Sequence, residues 1–218
     1  MQYLCPLFLD RFYTEWYNAP CARCWRKGQT MDNCRKILLH ALEGFAARGY
    51  EAVSVEEIAA AASLTKPTLY HYFHSKQGLL EALLQEQYGA LAEAVGDAAA
   101  YAGDLPLTLY RVVQTFFRFA RERPAFYRLR LALSFAPPAS VPFQAVAGWN
   151  KQVYHRVEAL FLCAAQDHGN MRGRHQAYAA TFVGMIDTYA GLALNGYTNL
   201  DDELVYRAVH QFMHGIYS

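Results

Sequence analysis

Cationic, aromatic and imidazole side chains are concentrated in one short stretch of the chain, between Lys66 and Lys76. At 100° per residue, Leu69 and Phe73 share one side of a helix, with Tyr72 at its edge. The opposite side carries Lys66, Pro67, Tyr70, His71 and His74. Such a mixture is poorly suited to a protein core, but it suits contacts with phosphates and base edges in a DNA groove.

Each predicted contact follows from the chemistry of its side chain. Lysines can pair with phosphates and phenol hydroxyls can donate to phosphate oxygens, whereas imidazole and threonine groups can reach base edges or a thymine methyl. Backbone N–H groups at the start of a helix add further phosphate donors. The predicted DNA-contacting residues are Ser54, Lys66, Pro67, Thr68, Tyr70, His71, Tyr72 and Lys76.

Two short helices must position these side chains. Ser54–Glu57 reads as a capping box, in which the serine caps a helix and the glutamate reaches back to it. Thr65 can cap a second helix, Lys66–Phe73, whose early proline is tolerated in a first turn. Ser75 can cap the helix that follows. The two helices capped by Ser54 and Thr65 predict a helix-turn-helix, and the second of them has a suitable length for the DNA major groove.

Residues 31–88 resemble the tetracycline-repressor (TetR) family of bacterial regulators. The resemblance is carried by Ser54-Val55-x-x-Ile58-Ala59, Thr68-Leu69-Tyr70-x-Tyr72-Phe73 and Ser75-Lys76-x-x-Leu79-Leu80. It implies a homodimer that reads a near-palindromic operator, with DNA contacts at Ser54, Lys66, Thr68, Tyr70, His71, Tyr72 and Lys76. Pro67 departs from the family, which often has Gly, Ala or Ser at that position.

Helical periodicity continues from Met31 to the end of the chain, with no alternating strand pattern, and predicts an all-α protein of about nine helices. The predicted domains are a helix-turn-helix domain over residues 31–80 and a regulatory and dimerisation domain over residues 81–218. Proline and glycine breaks predict later helices at 107–123, 125–135, 143–168, 174–195 and 201–217. Residues 1–30 form an atypical extension, rich in aromatics and cysteine, that we expect to be poorly ordered or not native.

The last two predicted helices are apolar on more than one side, so they need more partners than one small domain supplies. The predicted dimer interface comprises Ala180, Gly184, Gly191, Leu204, Ala208 and Phe212. Abundant aromatic residues predict a pocket for an apolar or aromatic ligand, lined by Tyr110, Phe117, Phe126, Trp149, Phe182, Asp187 and Tyr189. Asp187 stands among apolar residues, where it would meet a cationic or hydroxylated ligand or pair with an arginine across an interface.

Composition limits the other possibilities. The net charge of the 218-residue chain is +1, which gives no general attraction to nucleic acid. The chain has no glycine-rich phosphate loop, nucleophile elbow or catalytic acid pair, so no enzyme activity and no cofactor are predicted. Cys21-x-x-Cys24 and the pair His210 and His214 have metal-ligand spacing but lack further ligands at a fixed distance, and no metal is predicted. Without a convincing signal peptide or membrane span, we expect a cytoplasmic protein.

The leading hypothesis is a repressor that a ligand releases from DNA. Other functions remain open at this stage. Within regulation, the protein could be an activator of the same family or a repressor that depends on a corepressor. From another class, it could be a small-molecule-binding or partner-docking helical protein with a relic helix-turn-helix. The intact outward stripe of Lys66, Tyr70 and His71 argues against the relic.

Overall fold

A computed structural model describes residues 28–215, with side chains described from Asn33 onward. This part of the chain contains nine α-helices and no strand, which confirms the predicted all-α class. The helices are α1 (Gly28–Arg48), α2 (Val55–Ala61), α3 (Lys66–Phe73), α4 (Lys76–Ala98), α5 (Leu105–Glu122), α6 (Pro124–Ser134), α7 (Val141–Asp167), α8 (His175–Leu194) and α9 (Asp202–His214). A 3₁₀ turn, Gly169–Met171, separates α7 from α8.

Three helices begin one or two residues before their predicted starts. Pro106, Pro124 and Pro142 each lie in the first turn of α5, α6 and α7 rather than ahead of it. A proline in that turn sacrifices no helical hydrogen bond, so the helix begins at or before the proline. The first helix begins at Gly28, and residues 1–27 of the predicted extension lie outside the described residues.

The first three helices and the start of α4 form an N-terminal head around one apolar core. Its buried side chains come from every one of these helices: Ile37, Ala41, Phe45, Ile58, Leu69, Phe73, Leu79, Leu80 and Leu83. Helix α3, which is only two turns long, contributes Leu69 and Phe73 to this core, and both are almost completely buried. The head therefore fixes the rotation of α3 about its own axis.

Two connections join the head to the rest of the molecule. Helix α4 runs unbroken through 23 residues from the head into the second region, where it packs on α5 and α7. Helix α6 belongs to the second region but packs against α1 of the head. The predicted domain boundary at residues 80 and 81 falls inside α4, so the two regions share this helix.

The outer helices of the second region differ in how much of their surface is buried. Helix α9 packs on α5, and its buried side chains are Leu204, Val205, Ala208 and Val209. Helix α8 buries only Ala179, Phe182, Ile186 and Ala190, although it is apolar enough by length and composition to cross a membrane. Helix α8 contacts α5, α6, α7 and the end of α9, and none of the described residues covers the outward side that carries Ala180 and Gly184.

The junction between α3 and α4 leaves no room for a side chain at Gly78. A Cβ atom there would lie 2.3 Å from the carbonyl oxygen of Phe73, whereas one at Gly89 of the same helix would meet nothing within 4 Å. We expect Gly78→Ala to lower the free energy of unfolding by about 1–3 kcal/mol through overpacking. The matched change Gly89→Ala should raise it by roughly 0.5–1 kcal/mol, since alanine favours helix over glycine. Urea unfolding followed by circular dichroism measures both, and equal stabilities would contradict the close approach of Gly78.

Candidate nucleic-acid interface

The start of α2 is fixed by the predicted capping box. The Ser54 hydroxyl accepts the backbone N–H of Glu57 at 3.1 Å, and the Glu57 carboxylate accepts the backbone N–H of Ser54 at 2.8 Å. Arg48 at the end of α1 donates to both carboxylate oxygens of Glu57 at 3.2 Å. These donors, Arg48 foremost, hold the pKa of Glu57 below its usual value. One glutamate thus joins the end of α1 to the first turn of α2.

The start of α3 is fixed by Thr65. Its backbone is extended, and its hydroxyl accepts the backbone N–H of Thr68 at 3.4 Å and lies 2.9 Å from the Thr68 hydroxyl. Pro67 lies in the first turn, as the sequence predicts. The Thr68 side chain is half-buried and belongs to the cap, so its hydroxyl already has a partner within the head.

The predicted two faces of α3 are confirmed by the burial of its side chains. Leu69 is fully buried and Phe73 is 5% exposed, and Tyr72 is half-buried at the edge with its ring 5.4 Å from that of His71. The exposed side chains of the helix and its C-cap form what we call the outward face, and they are Lys66, Pro67, Tyr70, His71 and His74. The caps at Ser54 and Thr65 fix the starts of α2 and α3, the two helices that carry Ser54 and the outward face.

Lys76 is placed differently from the other predicted contacts. It is half-buried, with its ammonium 4.3 Å from the centre of the Tyr50 ring and 3.3 Å from the carbonyl oxygen of Glu51. These contacts tie the first residue of α4 to the loop between α1 and α2. Lys76 therefore supports the head as well as carrying a positive charge near the outward face.

An acid of the head lies directly against the cation of the outward face. The ammonium of Lys66 pairs with the carboxylate of Glu56 on α2, and it lies 5.7 Å from the centre of the Tyr70 ring. This contact raises the pKa of Lys66 and lowers that of Glu56, the hydrogen bond between the two side chains being the largest cause in each case. Sequence reasoning missed Glu56 because the pair is ten positions apart and joins two different helices.

The seven predicted pocket residues pack in the second region in several separate groups. Phe117, Phe126 and Phe182 are fully buried in the core, while Tyr110, Trp149 and Tyr189 pack partly buried against it. Ring contacts divide them: Phe126 and Trp149 both contact Tyr88, Phe117 contacts Tyr189, and Phe182 contacts Phe161 and Phe212. None of the seven is among the lining residues of two surface clefts in the described part of the chain, one of about 100 Å³ between α1 and α4 and one of about 500 Å³ beside the end of α8.

The remaining pocket residue, Asp187, belongs to a buried polar cluster. Its carboxylate accepts from Arg130 of α6 at 2.5 Å and from the hydroxyl of Tyr127 at 2.7 Å. Of the two outcomes predicted for Asp187, the pairing with an arginine is the one observed, within a single chain. Burial lowers the pKa of Arg130, but the charges of Asp187, Tyr127 and Tyr88 and the hydrogen bond to Asp187 together raise it above its usual value.

Three more residues extend this cluster across the second region. The Tyr88 hydroxyl donates to the side chain of Asn150 at 2.8 Å, Asn150 donates to the hydroxyl of Ser134 at 2.9 Å, and Ser134 donates to the carbonyl oxygen of Arg130 at 2.7 Å. Burial raises the pKa of both Tyr88 and Tyr127 above the usual value. We refer to Tyr88, Tyr127, Arg130, Ser134, Asn150 and Asp187 as the polar cluster.

The predicted interface residues fall on two sides of their helices. Ala180 and Gly184 are exposed on the outward side of α8, and a Cβ atom at Gly184 would meet nothing within 4 Å. Gly191 and Phe212 are half-buried. Leu204 and Ala208 are buried inside the chain against α5, so their assignment to a dimer interface is corrected. The apolar stripe of α9 predicted burial but not which partner provides it.

Comparisons with known proteins agree with this arrangement. Residues 37–83, which include both helices of the helix-turn-helix, match the profile described as bacterial regulatory proteins, tetR family. This segment of the chain is therefore similar to the DNA-binding segment of the tetR family of transcriptional regulators. The chain is 28% identical over 180 residues to the HTH-type transcriptional activator FasR of Mycolicibacterium smegmatis, covering 83% of this chain and 80% of that protein.

Two solved structures share the fold over nearly their whole length. The fatty acid degradation regulator FadR of Bacillus halodurans superposes with a TM-score of 0.71 at 20% identity, covering 88% of this chain and 98% of that one. FadR of Bacillus subtilis in complex with stearoyl-CoA gives 0.72 at 20% identity, covering 84% and 99%. The relatives are transcriptional regulators.

Glu56 should weaken DNA binding because it competes with phosphate for Lys66. We expect Glu56→Gln to raise affinity for DNA by roughly two- to fivefold, the range typical of an exposed ion pair. Glu81→Gln is the matched control, since that carboxylate accepts from Gln77 at 2.8 Å rather than from a cation. Fluorescence anisotropy at fixed salt measures both. In a Lys66→Met background the gain from Glu56→Gln should shrink, and an undiminished gain would contradict competition for that lysine.

Proposed function

We propose that the protein is a homodimeric repressor whose affinity for a near-palindromic DNA operator falls when a small apolar effector binds. The observation that carries the proposal is the outward face of α3. Its cation, phenol and imidazole groups project from a helix that is capped at its start and buried along its other side. This is the geometry by which a recognition helix enters the major groove.

In this proposal, different groups of the protein contact the phosphates and the bases. Lys66 neutralises a phosphate, and the N–H groups that the caps leave free at the starts of α2 and α3 donate to phosphates. These contacts position the head without reading sequence. Tyr70 is 38% exposed and adds a phenol donor toward the backbone. His71 is the exposed residue best suited to reach a base edge from the middle of the helix.

Dimerisation is supported by the uncovered side of α8. Small and apolar residues recur there at helical spacing, all exposed in the single chain: Ala177, Ala180, Thr181, Gly184, Thr188 and Leu192. Small side chains permit the close approach of a second helix. A two-fold axis along this side pairs identical surfaces and sets the two α3 helices about one DNA turn apart, ~34–36 Å.

The effector is proposed to bind in the second region, among its buried aromatic side chains. The structural relative FadR of Bacillus subtilis was solved with stearoyl-CoA, which supports an effector with a long apolar body. Binding changes operator affinity by favouring an arrangement of α4 and α6 in which the two heads no longer match the operator.

The relative FasR is named an activator. Deleting the gene distinguishes repression from activation, because loss of a repressor raises transcription of its targets and loss of an activator lowers it.

Lys66 and His71 should have different effects on DNA binding. Lys66→Ala removes a phosphate contact, so affinity should fall equally for operator and scrambled DNA, and the salt slope should drop by about 0.9 for each protomer. His71→Ala removes a base contact, so about 1–3 kcal/mol of discrimination should be lost with the salt slope unchanged. Anisotropy titrations over a range of salt measure both quantities. Unchanged binding in both variants would favour a relic helix-turn-helix.

A bulky charge on the outward side of α8 should separate the protomers without unfolding them. Gly184→Arg adds a side chain where a Cβ atom meets nothing within 4 Å, so the single chain tolerates it. Gly148→Arg is the matched control, since that α7 glycine is exposed and equally open. Size-exclusion chromatography with light scattering should give monomers for Gly184→Arg and dimers for Gly148→Arg. A dimer in both cases would place the interface elsewhere.

A further inference from the structure

The polar cluster contains a buried cation whose hydrogen-bonding capacity is only partly used. The side chain of Arg130 is 4% exposed, and its terminal nitrogen donates to Asp187 at 2.5 Å. No acceptor among the described residues lies within hydrogen-bond distance of its Nε atom. The flat guanidinium carbon lies 5.6 Å from the centre of the Phe116 ring and 5.1 Å from that of Tyr127.

Stability gives no sufficient reason for this pair. A buried arginine and aspartate lose so much hydration that apolar residues of similar volume are often equally stable or more so. A few convergent polar groups within an aromatic surrounding are, in contrast, the usual composition of a small-molecule site. Arg130 has that surrounding, with Phe116 and Tyr127 beside it and Tyr88 contacting both Phe126 and Trp149.

We infer that Arg130 binds an anionic or carbonyl oxygen at one end of the effector, which takes the place of the Asp187 carboxylate. This rests on the proposed ligand-responsive function. It assigns ligand binding to Arg130 and not to Asp187, because the Asp187 carboxylate is already neutralised by that arginine. Exchange for an anionic oxygen preserves the charge balance at Arg130, and its Nε donor remains available to a second acceptor on the effector. The Asp187 side chain is 23% exposed, so it has a route to water once released.

The exchange also links the effector to the DNA-binding head. Arg130 lies on α6, which packs on α1 of the head, and Asp187 lies on α8, whose outward side is the proposed dimer surface. The ion pair is a direct polar link between the two helices. When an effector oxygen replaces Asp187, that link is lost, and α6 and the head become free to move relative to the dimer axis.

Three probes with the same ten-carbon chain test the head-group preference: decanoate, decanol and decylamine. Isothermal titration of the full-length protein should show decanoate binding about tenfold more tightly than decanol, as expected for one hydrogen bond to a charged group, and decylamine binding least. Equal affinity for the three probes, or no binding of decanoate up to its solubility limit, would overturn the assignment. Operator binding by the ligand-free protein tests the proposed function separately.

Variants distinguish a binding role from a structural one. The double change Arg130→Met with Asp187→Leu replaces the pair by apolar side chains, so the fold should persist by circular dichroism while the preference for decanoate over decanol disappears. Asp187→Asn removes the competing charge and should tighten decanoate binding. Arg128→Met is the control on the same helix, since that exposed arginine donates to the carbonyl oxygen of Leu194 at 2.5 Å, and it should retain the preference. A preference that persists in the double variant would contradict the role of Arg130.

Discussion

The burial of one side of α3 is the constraint on which the proposed DNA interface depends. An eight-residue helix is not stable alone in water, because the cost of its first turn is not recovered over so short a length. It persists here because Leu69 and Phe73 enter the core of the head and Thr65 caps its start. The same two side chains fix which residues turn outward. The chemistry of the outward face is thus a consequence of packing on the opposite side.

Packing also determines how a distant event can reach this face. The head has no separate linker, since α4 is shared and α6 packs on α1. Any change in the positions of α4 or α6 therefore moves α3 as well. The polar cluster joins α4, α6, α7 and α8, and of these α4 enters the head, α6 packs on it, and α8 carries the proposed dimer surface. A buried charge pair has few alternative partners, so the arrangement around it tends to be discrete rather than continuously adjustable.

Local features of the head were predictable from the sequence. The capping box at Ser54, the cap at Thr65 and the two faces of α3 depend on residues within a few positions of one another, and the structure has all three. Contacts between helices were not predictable in the same way. The partner of Lys66 lies ten positions earlier, on another helix. Of the two arginines in the middle of α6, Arg128 is exposed and Arg130 is buried. The position of Arg130 on the apolar stripe of Phe126 and Leu133 was a hint of this. The difference itself follows only from how α6 packs on other helices.

The second region shows the same limit for apolar residues. Periodicity identified the stripes of α8 and α9 that are removed from water, but it could not say whether the partner is the same chain or a second one. Leu204 and Ala208 are buried within the chain, whereas Ala180 and Gly184 are exposed. Aromatic abundance likewise did not separate core from cavity wall, since Phe117, Phe126 and Phe182 pack against other side chains. The sequence therefore indicates which side chains are buried, but only the arrangement of the helices shows which residues cover them.

Selection of binding sites from a random pool of duplex DNA by the full-length protein tests the central claim most directly. Two α3 helices related by a two-fold axis predict enrichment of an inverted repeat whose half-sites are centred about one helical turn apart, ~34–36 Å. Enrichment of that repeat, with two protomers bound per site, is the expected result. No enrichment over many rounds, or enrichment of a single half-site bound by one protomer, would contradict a dimeric regulator that reads DNA through α3.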